Sequence, residues 1–287
     1  MHILSFNVNG IKRLSVDQLL IDQLSIKSFF TPAEKPQETT TLHSLLKTQQ
    51  ADVVFLQELK TTQSEATKCL SRFSTMYKYQ YVHASTKKGY SGVAILSKTE
   101  PKGVWRDLEL LEDNECVKLF HEHELHTEGR ILCAQFGDCM LVNVYAVNSG
   151  KDLKRLHVRR HYEACVEHLI DHIQNYMGLK VLVAGDMNVC PTLSKLDCMA
   201  PSFFCKISGG IADEMFMLES LCTKQGLVDV YRKLYPDGKK YSNSVGKLRW
   251  RLDLFLLSES LLPSVSVCDI LEEVTLSDHS PILIKWQ

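Results

Sequence analysis

Nine side chains spread over most of the chain share a chemistry: the carboxylates Glu58, Asp186, Asp253 and Asp278, the amides Asn7, Asn148 and Asn188, the phenol of Tyr145 and the imidazole of His279. Carboxylates hold a hard divalent cation, amides donate to oxygens that gain charge, and an imidazole moves a proton or stands as a cation. Together these types suit hydrolysis of a phosphate ester assisted by a hydrated hard cation. Mg²⁺ takes one or two carboxylates plus the substrate phosphate and keeps several waters, so Glu58 is a sufficient anchor, with Asn7 or Asp278 helping. Asp186 then orients or deprotonates the attacking water. Asn7, Asn188, Tyr145 and Asn148 donate to the non-bridging oxygens, and one such donor contributes about 2.7–4 kcal/mol to the transition state. His279 needs an orienting partner. Its neighbour Asp278 would point to the opposite face of an extended segment, whereas Asp253, lodged in the apolar run LDLFLL, itself requires a partner. Plainer alternatives exist: a turn at Gly185-Asp186 and Asn188, a His279 that caps the turn before Pro281, and a salt bridge from Asp253 to Arg251 or Arg249.

These residues recur at one kind of place, the polar end of an apolar run. The clearest is KVLVAGDMNVCP (180–191), where a short β-branched run stops at Gly185 and is followed by Asp186 and Asn188. Strands are likewise expected over 2–8, delivering Asn7, over 52–56, delivering Gln57, Glu58 and Lys60, and over 252–257. A hairpin over 130–136 and 139–145 turns at Gly137-Asp138, a strand pair spans 79–83 and 91–97, and a last strand spans 282–286. Helices are expected over 42–50, 63–73, 152–177 (stopped by Gly178) and 213–225. The stretch 107–128 reads as variable and acidic, and 15–41 as an inserted loop without chemistry. Strands interspersed with helices predict an α/β protein in which two packed sheets carry helices outside, as one domain over 1–287. Five strand ends depositing polar residues predict a shared rim.

Composition narrows the class. The 287 residues are 45% hydrophobic and 23% charged, with a net charge of −1, so any polyanion site must be local. No apolar stretch spans a membrane, and MHILSFNVNG is not a secretory leader. Ten cysteines without a C-x-x-C spacing suit reduced, mostly buried thiols in an intracellular protein. Lys151, Lys154, Arg155, Arg159 and Arg160 cluster on one expected helix, a pattern that usually marks a solvated face.

NVNGI (7–11), LQELK (56–60), GYSGVAILS (89–97), EGR (128–130), YAVNSG (145–150), GDMNV (185–189), WRLDLFLLS (250–258) and SDHSP (277–281) occur in an order that resembles the exonuclease III-like abasic-site endonucleases. These belong to the endonuclease/exonuclease/phosphatase superfamily, and the resemblance covers essentially the whole chain. It implies a four-layered α/β sandwich and a Mg²⁺ site (Mn²⁺ substituting) at Glu58 with Asn7 and Asp278 nearby. The wider metal set takes in Asp186, Asn188 and His279. Catalytic roles fall to Tyr145, Asp186, Asn188, Asp253 and His279. DNA contacts fall to Lys60, Tyr90, Asn148, Lys151, Arg155, Arg249, Trp250 and Arg251, with Lys87 and Lys88 beside them. The implied partner is duplex DNA with abasic or damaged 3′ ends, bound by a monomer without a membrane, in the nucleus if the source is eukaryotic.

Several positions depart from the family's pattern. Leu59 and Val147 replace a usual Thr and Pro, and Lys151 replaces an Arg, losing bidentate phosphate contact. YSNSVGKLR (241–249) is short and offers Tyr241 where family members with strong abasic preference carry a Phe-Trp pair, which shifts the expected balance toward 3′-end trimming. An inositol-phosphate or phospholipid phosphatase, a retroelement-type nicking endonuclease and a scaffold without chemistry are the alternatives.

Overall fold

The computed structural model describes residues 1–14, 41–111, 115–199 and 210–287, so the expected insertion lies outside the described residues except for Thr41. In chain order the strands are β1 (His2–Asn7), β2 (Val53–Gln57), β3 (Tyr79–His83), β4 (Val93–Ser97), β5 (Gly103–Arg106), β6 (Ile131–Phe136), β7 (Cys139–Tyr145), β8 (Lys180–Asp186), β9 (Leu227–Asp229), β10 (Asn243–Val245), β11 (Leu248–Trp250), β12 (Asp253–Ser258), β13 (Val265–Ile270) and β14 (Ile282–Trp286). They build two six-stranded sheets, β13-β14-β1-β2-β4-β3 and β5-β6-β7-β8-β12-β9, and the small hairpin β10-β11. Each large sheet is mixed: β1 runs parallel to β2 and β7 parallel to β8, with antiparallel neighbours.

Period-two alternation explains the layering. Ile3, Val53, Phe55 and Ile95 of one sheet meet Leu141, Leu182, Ala184 and Phe255 of the other in the central core. The intervening residues Leu4, Phe6, Val54 and Leu56 face α1 (Ile11–Leu14), α2 (Leu42–Gln49) and α3 (Gln63–Leu70). On the far side, Val142, Val181, Val183 and Leu254 pack on α4 (Glu115–Glu122), α5 (Leu156–Asp171) and α6 (Ala212–Gln225). The result is the expected helix-sheet-sheet-helix sandwich. Thr41 with Ser44 and Thr62 with Glu65 form the boxes that start α2 and α3.

Three expectations need correction. The 107–128 stretch contains α4, whose Phe120 and Leu125 side of the chain is buried against the sheet. The helix expected from residue 152 begins at Leu156, because Asp152 and Leu153 adopt left-handed φ of 57° and 56°. Strands β5, β9, β10, β11 and β13 are additional; β9, β10 and β11 have three residues each, too short for alternation to register.

Gly185 shows how tightly the sheet is drawn where chemistry is expected. Its φ is +138°, and a β-carbon there would lie 2.0 Å from the Val144 carbonyl oxygen of the parallel neighbour. Gly185→Ala is expected to lower stability by about 3 kcal/mol or more, read as a shift in denaturant midpoint. An unchanged midpoint would show that β7 and β8 can separate freely.

Candidate active site

The inward-facing residues of each central strand change character along its length. In β1 they run Ile3, Ser5, Asn7; in β2 Val53, Phe55, Gln57; in β7 Leu141, Asn143, Tyr145; in β8 Leu182, Ala184, Asp186. The apolar seam thus becomes a polar belt. Gln57 Nε2 donates to Ser5 Oγ (3.0 Å) and Asn143 Oδ1 (2.7 Å), and Asn143 Nδ2 donates to the carbonyls of Leu56 and Ala94 (3.2 and 2.8 Å). This hydrogen-bonded belt sets the floor of a site that opens at the strand ends.

Register places Asp186 opposite both Tyr145 of β7 and Asp253 of β12. Across the seam, β1 brings Asn7, while the residue after β2, Glu58, takes a left-handed φ of 54°. Asn9, Lys60, Ser91 and Asn188 share that conformation around the rim (φ 44–50°). Such backbone costs roughly 1–2 kcal/mol per non-glycine residue, and its concentration here marks side chains held where function needs them.

Asn7 ties the carboxylates together: its Nδ2 donates to Asp186 Oδ2 (2.9 Å) and Glu58 Oε1 (3.1 Å) and lies 3.5 Å from His279 Nε2. The other Asp186 oxygen accepts from the Asn188 backbone N–H (2.8 Å). Asn188 Nδ2 donates to Ala146 O (2.9 Å), and Asn148 donates to Asn188 Oδ1 (3.0 Å). His279 Nδ1 lies 2.7 Å from Asp253 Oδ2, leaving Nε2 facing Asp186 Oδ2 at 3.8 Å. Asp278 points the other way, to Asn9 Nδ2 (2.8 Å), as alternation requires. Lys60 Nζ reaches Asn9 Oδ1 (2.6 Å) and pairs with Glu58.

Burial governs the charges. Asp186, 1% exposed, is pushed up to about 7 by loss of water, with Asp253 and Glu58 adding to the rise and His279 opposing it. Burial disfavours the imidazolium of His279, yet Asp253 and Asp186 overcome it and raise that group to about 10. Glu58 stays below the usual carboxylate range: burial works against its charge, but Lys60, Asn7 and the Tyr145 hydroxyl hold it. Tyr145 is driven well above its ordinary value by burial and by Glu58.

Ligand atoms of Glu58, Asp186 and His279 lie within 4.8 Å of one another. The two carboxylates, held together by the Asn7 Nδ2, form a mostly oxygen donor set with His279 beside them, and Glu58 already engages an ammonium, so the chain's own groups fit a hard divalent cation.

The structure thus gathers Asn7, Glu58, Lys60, Tyr145, Asn148, Asp186, Asn188, Asp253 and His279, with Asp278 at the rim. Trp250 is half-buried beside them: its indole donates to Asn243, whose backbone bridges to His279. Lys87, Lys88, Lys151 and Arg249 are exposed. Tyr90 Oη accepts from Arg130 (2.8 Å) and Arg155 (2.5 Å), and Arg155 also pairs with Glu128 (2.7 Å), so both are engaged with the protein itself. Arg251 is a correction. It is 1% exposed and forked onto Asp229 (2.6 and 3.0 Å) and Asp197 (2.7 Å), out of reach of any nucleic acid. Arg251→Ala is expected to cost about 3 kcal/mol or more by leaving buried carboxylates short of a partner, with no effect on the salt dependence of DNA binding. A changed salt slope with unchanged stability would restore Arg251 as a DNA contact.

Two further residues support the site and escaped notice in the sequence. Buried Arg130 donates to the carbonyls of Tyr145 and Ala146 (3.0 and 3.1 Å) and lies over the Tyr145 ring. Arg159, expected on a solvated face, is buried: it donates to Val147 O (2.6 Å) and Met187 O (2.7 Å) and pairs with Glu163 (2.6 Å). It staples together the loops bearing Asn148 and Asn188. Spacing gave one hint, since Arg159 falls between Leu156 and Tyr162 on the apolar stripe of α5.

Comparison with known proteins follows the same lines. The Endonuclease/Exonuclease/phosphatase family matches residues 4–279. The chain is 29% identical over 248 residues to an exodeoxyribonuclease of Bacillus subtilis (strain 168), covering 83% of this chain and 89% of the relative. It is 29% identical over 248 residues to the DNA repair nuclease APEX1 of Danio rerio, covering 81% and 72%. The structure superposes on an AP endonuclease from Archaeoglobus fulgidus with a TM-score of 0.74 at 21% identity, over 100% of this chain and 99% of that one.

Proposed function

Because the chain belongs to the Endonuclease/Exonuclease/phosphatase family, we propose that it is a Mg²⁺-dependent DNA repair nuclease, acting as one catalytic domain. It hydrolyses the phosphodiester 5′ to an abasic site in duplex DNA and trims 3′ ends as phosphodiesterase and 3′–5′ exonuclease. The observation that carries this reading is the gathering of Glu58, Asp186 and His279 within 4.8 Å beneath a rim holding Lys60 and Trp250. The names of the two relatives, a DNA repair nuclease and an exodeoxyribonuclease, support DNA as the substrate.

Glu58 and Asp186 would hold the cation, positioned by the Asn7 Nδ2 that donates to both, and the bound ion would neutralise charge on the scissile phosphate. Asp186 accepts a proton from the attacking water, a role that its burial, which favours the protonated form, supports. Asn188 is kept in place for a non-bridging oxygen by Asn148 and by its own bond to Ala146 O. The His279 imidazolium, oriented by Asp253 at Nδ1, presents Nε2–H to the phosphate. Water's oxygen bonds to phosphorus, the P–O3′ bond breaks, O3′ takes up a proton from solvent, and the products are a 3′-hydroxyl and a 5′-phosphate on the abasic sugar. Trp250 is the aromatic wall for the extruded sugar; Tyr241 is drawn off by its bond to Lys195 O (2.7 Å), so a single aromatic serves that role and end-trimming gains weight.

The test offers a duplex with one stable abasic analogue, the undamaged duplex and a soluble inositol polyphosphate, each with Mg²⁺ and with chelator. Incision at the analogue, abolished by chelator, is expected. Phosphate release from the inositol compound without strand cleavage would install the phosphatase reading, and cutting of undamaged duplex at preferred sequences the nicking one. Binding should also weaken with salt, by a log–log slope of about −0.9 per neutralised phosphate, and Arg249→Ala should reduce that slope by about 1. A slope unchanged in this variant would remove Arg249 from the DNA path.

A further inference from the structure

Among the described residues, cysteines meet in two different settings away from the site. Cys190 and Cys198 share a small cluster in which both are wholly buried. Cys116 and Cys165 meet where water reaches. Cys116 stands in the first turn of α4 and is half-buried, while Cys165 projects from α5, which packs on α4. The Cys165 thiol donates to the Cys116 carbonyl oxygen at 3.4 Å, which brings the two residues together across the α4–α5 contact. Both open onto a surface pocket of about 410 Å³ that they share with Leu119, His161 and His168.

We propose that Cys116 and Cys165 form an oxidative modification site, a dithiol that a hydroperoxide converts into an intramolecular disulfide tying α4 to α5. Cys116 is the attacking sulfur. It is the more exposed of the two, and its place in the first turn of α4 favours the thiolate. Cys165 is buried and its S–H is engaged with the Cys116 carbonyl, so it waits as the protonated partner. His161 lines the same pocket, where burial and the neighbouring His123 and His157 lower its pKa and so favour the neutral imidazole.

The steps balance. The Cys116 thiolate attacks the peroxide, the O–O bond breaks, and a sulfenic acid forms as an alcohol, or water from hydrogen peroxide, departs with the proton. Cys165 sulfur then attacks the sulfenic sulfur, the S–O bond breaks, and water leaves. Two thiols are oxidised to one disulfide while one hydroperoxide is reduced to alcohol and water. Metal capture by the same side chains is disfavoured as the pocket stands: among the described residues, Glu58, Asp186 and His279 are the set of three or more ligands that converges. The bond would pin α5, which also supplies Arg159 to the site loops.

Treating the reduced full-length chain with graded hydrogen peroxide, alkylating, and mapping peptides by mass tests this. The first oxidised species should be a Cys116–Cys165 cross-linked peptide, monomeric and two hydrogens lighter. In Cys165→Ser the product should stop at a dimedone-reactive sulfenic acid on Cys116, and in Cys116→Ser no cross-link to Cys165 should form. A first oxidation at another cysteine, or Cys116 still alkylated after other thiols are lost, would overturn the proposal, and the wild-type map alone decides it.

Discussion

Asp186→Asn is expected to lower kcat for incision by about 10³-fold or more while the chain remains folded. The change preserves shape: Oδ1 still accepts from the Asn188 N–H, and the floor of Ser5, Gln57 and Asn143 is untouched. What disappears is the charge, together with the Oδ2 acceptor for Asn7 Nδ2. Asp186 is raised to about 7 in the fold against 3.8 ordinarily, so the folded state binds its proton more tightly than the unfolded chain. Ionising it costs stability that is lost as pH rises from about 4 to about 7. The variant escapes that cost, so its stability should fall less over this window than that of the wild type. Denaturant midpoints at pH 5 and pH 8, with single-turnover incision on the same samples, separate the two effects. Retained incision would dismiss Asp186 as the base; lost incision together with lost stability would point to a structural carboxylate.

His279→Asn is expected to reduce kcat by about 10²–10³-fold, the worth of one pre-aimed donor to the phosphate, with little change in substrate binding. The pH behaviour gives a second readout. The imidazole is raised to about 10 from 6.5 because Asp253 and Asp186 outweigh burial. A base with a raised folded value contributes stability that is fully present below about 6.5 and is lost as pH climbs to about 10. Wild-type stability should therefore decline across that range, and the variant should be flatter. It also leaves Asp253 buried without its imidazole, so it should be less stable than wild type at pH 6. Equal stability of the two proteins at pH 6 would mean that the His279–Asp253 pair is not formed as an ion pair.

Much of this site was legible before any coordinates because period-two alternation carries information past the end of a strand. Asn7, Tyr145 and Asp186 continue the inward face set by Ile3, Leu141 and Leu182, so an apolar run ending in a polar residue already says where that residue points. The same logic separated Asp253 from Asp278 as the partner of His279. Arginine defeated it. A guanidinium is charged wherever it lies, so sequence alone reads Arg159 as surface and Arg251 as a phosphate contact, while tertiary partners bury both. Strands β9, β10 and β11 were missed because three residues cannot display a period, and α4 because acidic residues masked its one buried stripe around Phe120.

Mn²⁺ binding followed by paramagnetic resonance, in the wild type and in Glu58→Gln, probes the gathered site without relying on turnover. One site tight enough to titrate is expected in the wild type, with affinity at least about 100-fold weaker when the Glu58 charge is removed. Equal affinity in the two proteins would contradict the assignment of Glu58, Asn7 and Asp186 to one cation-binding centre.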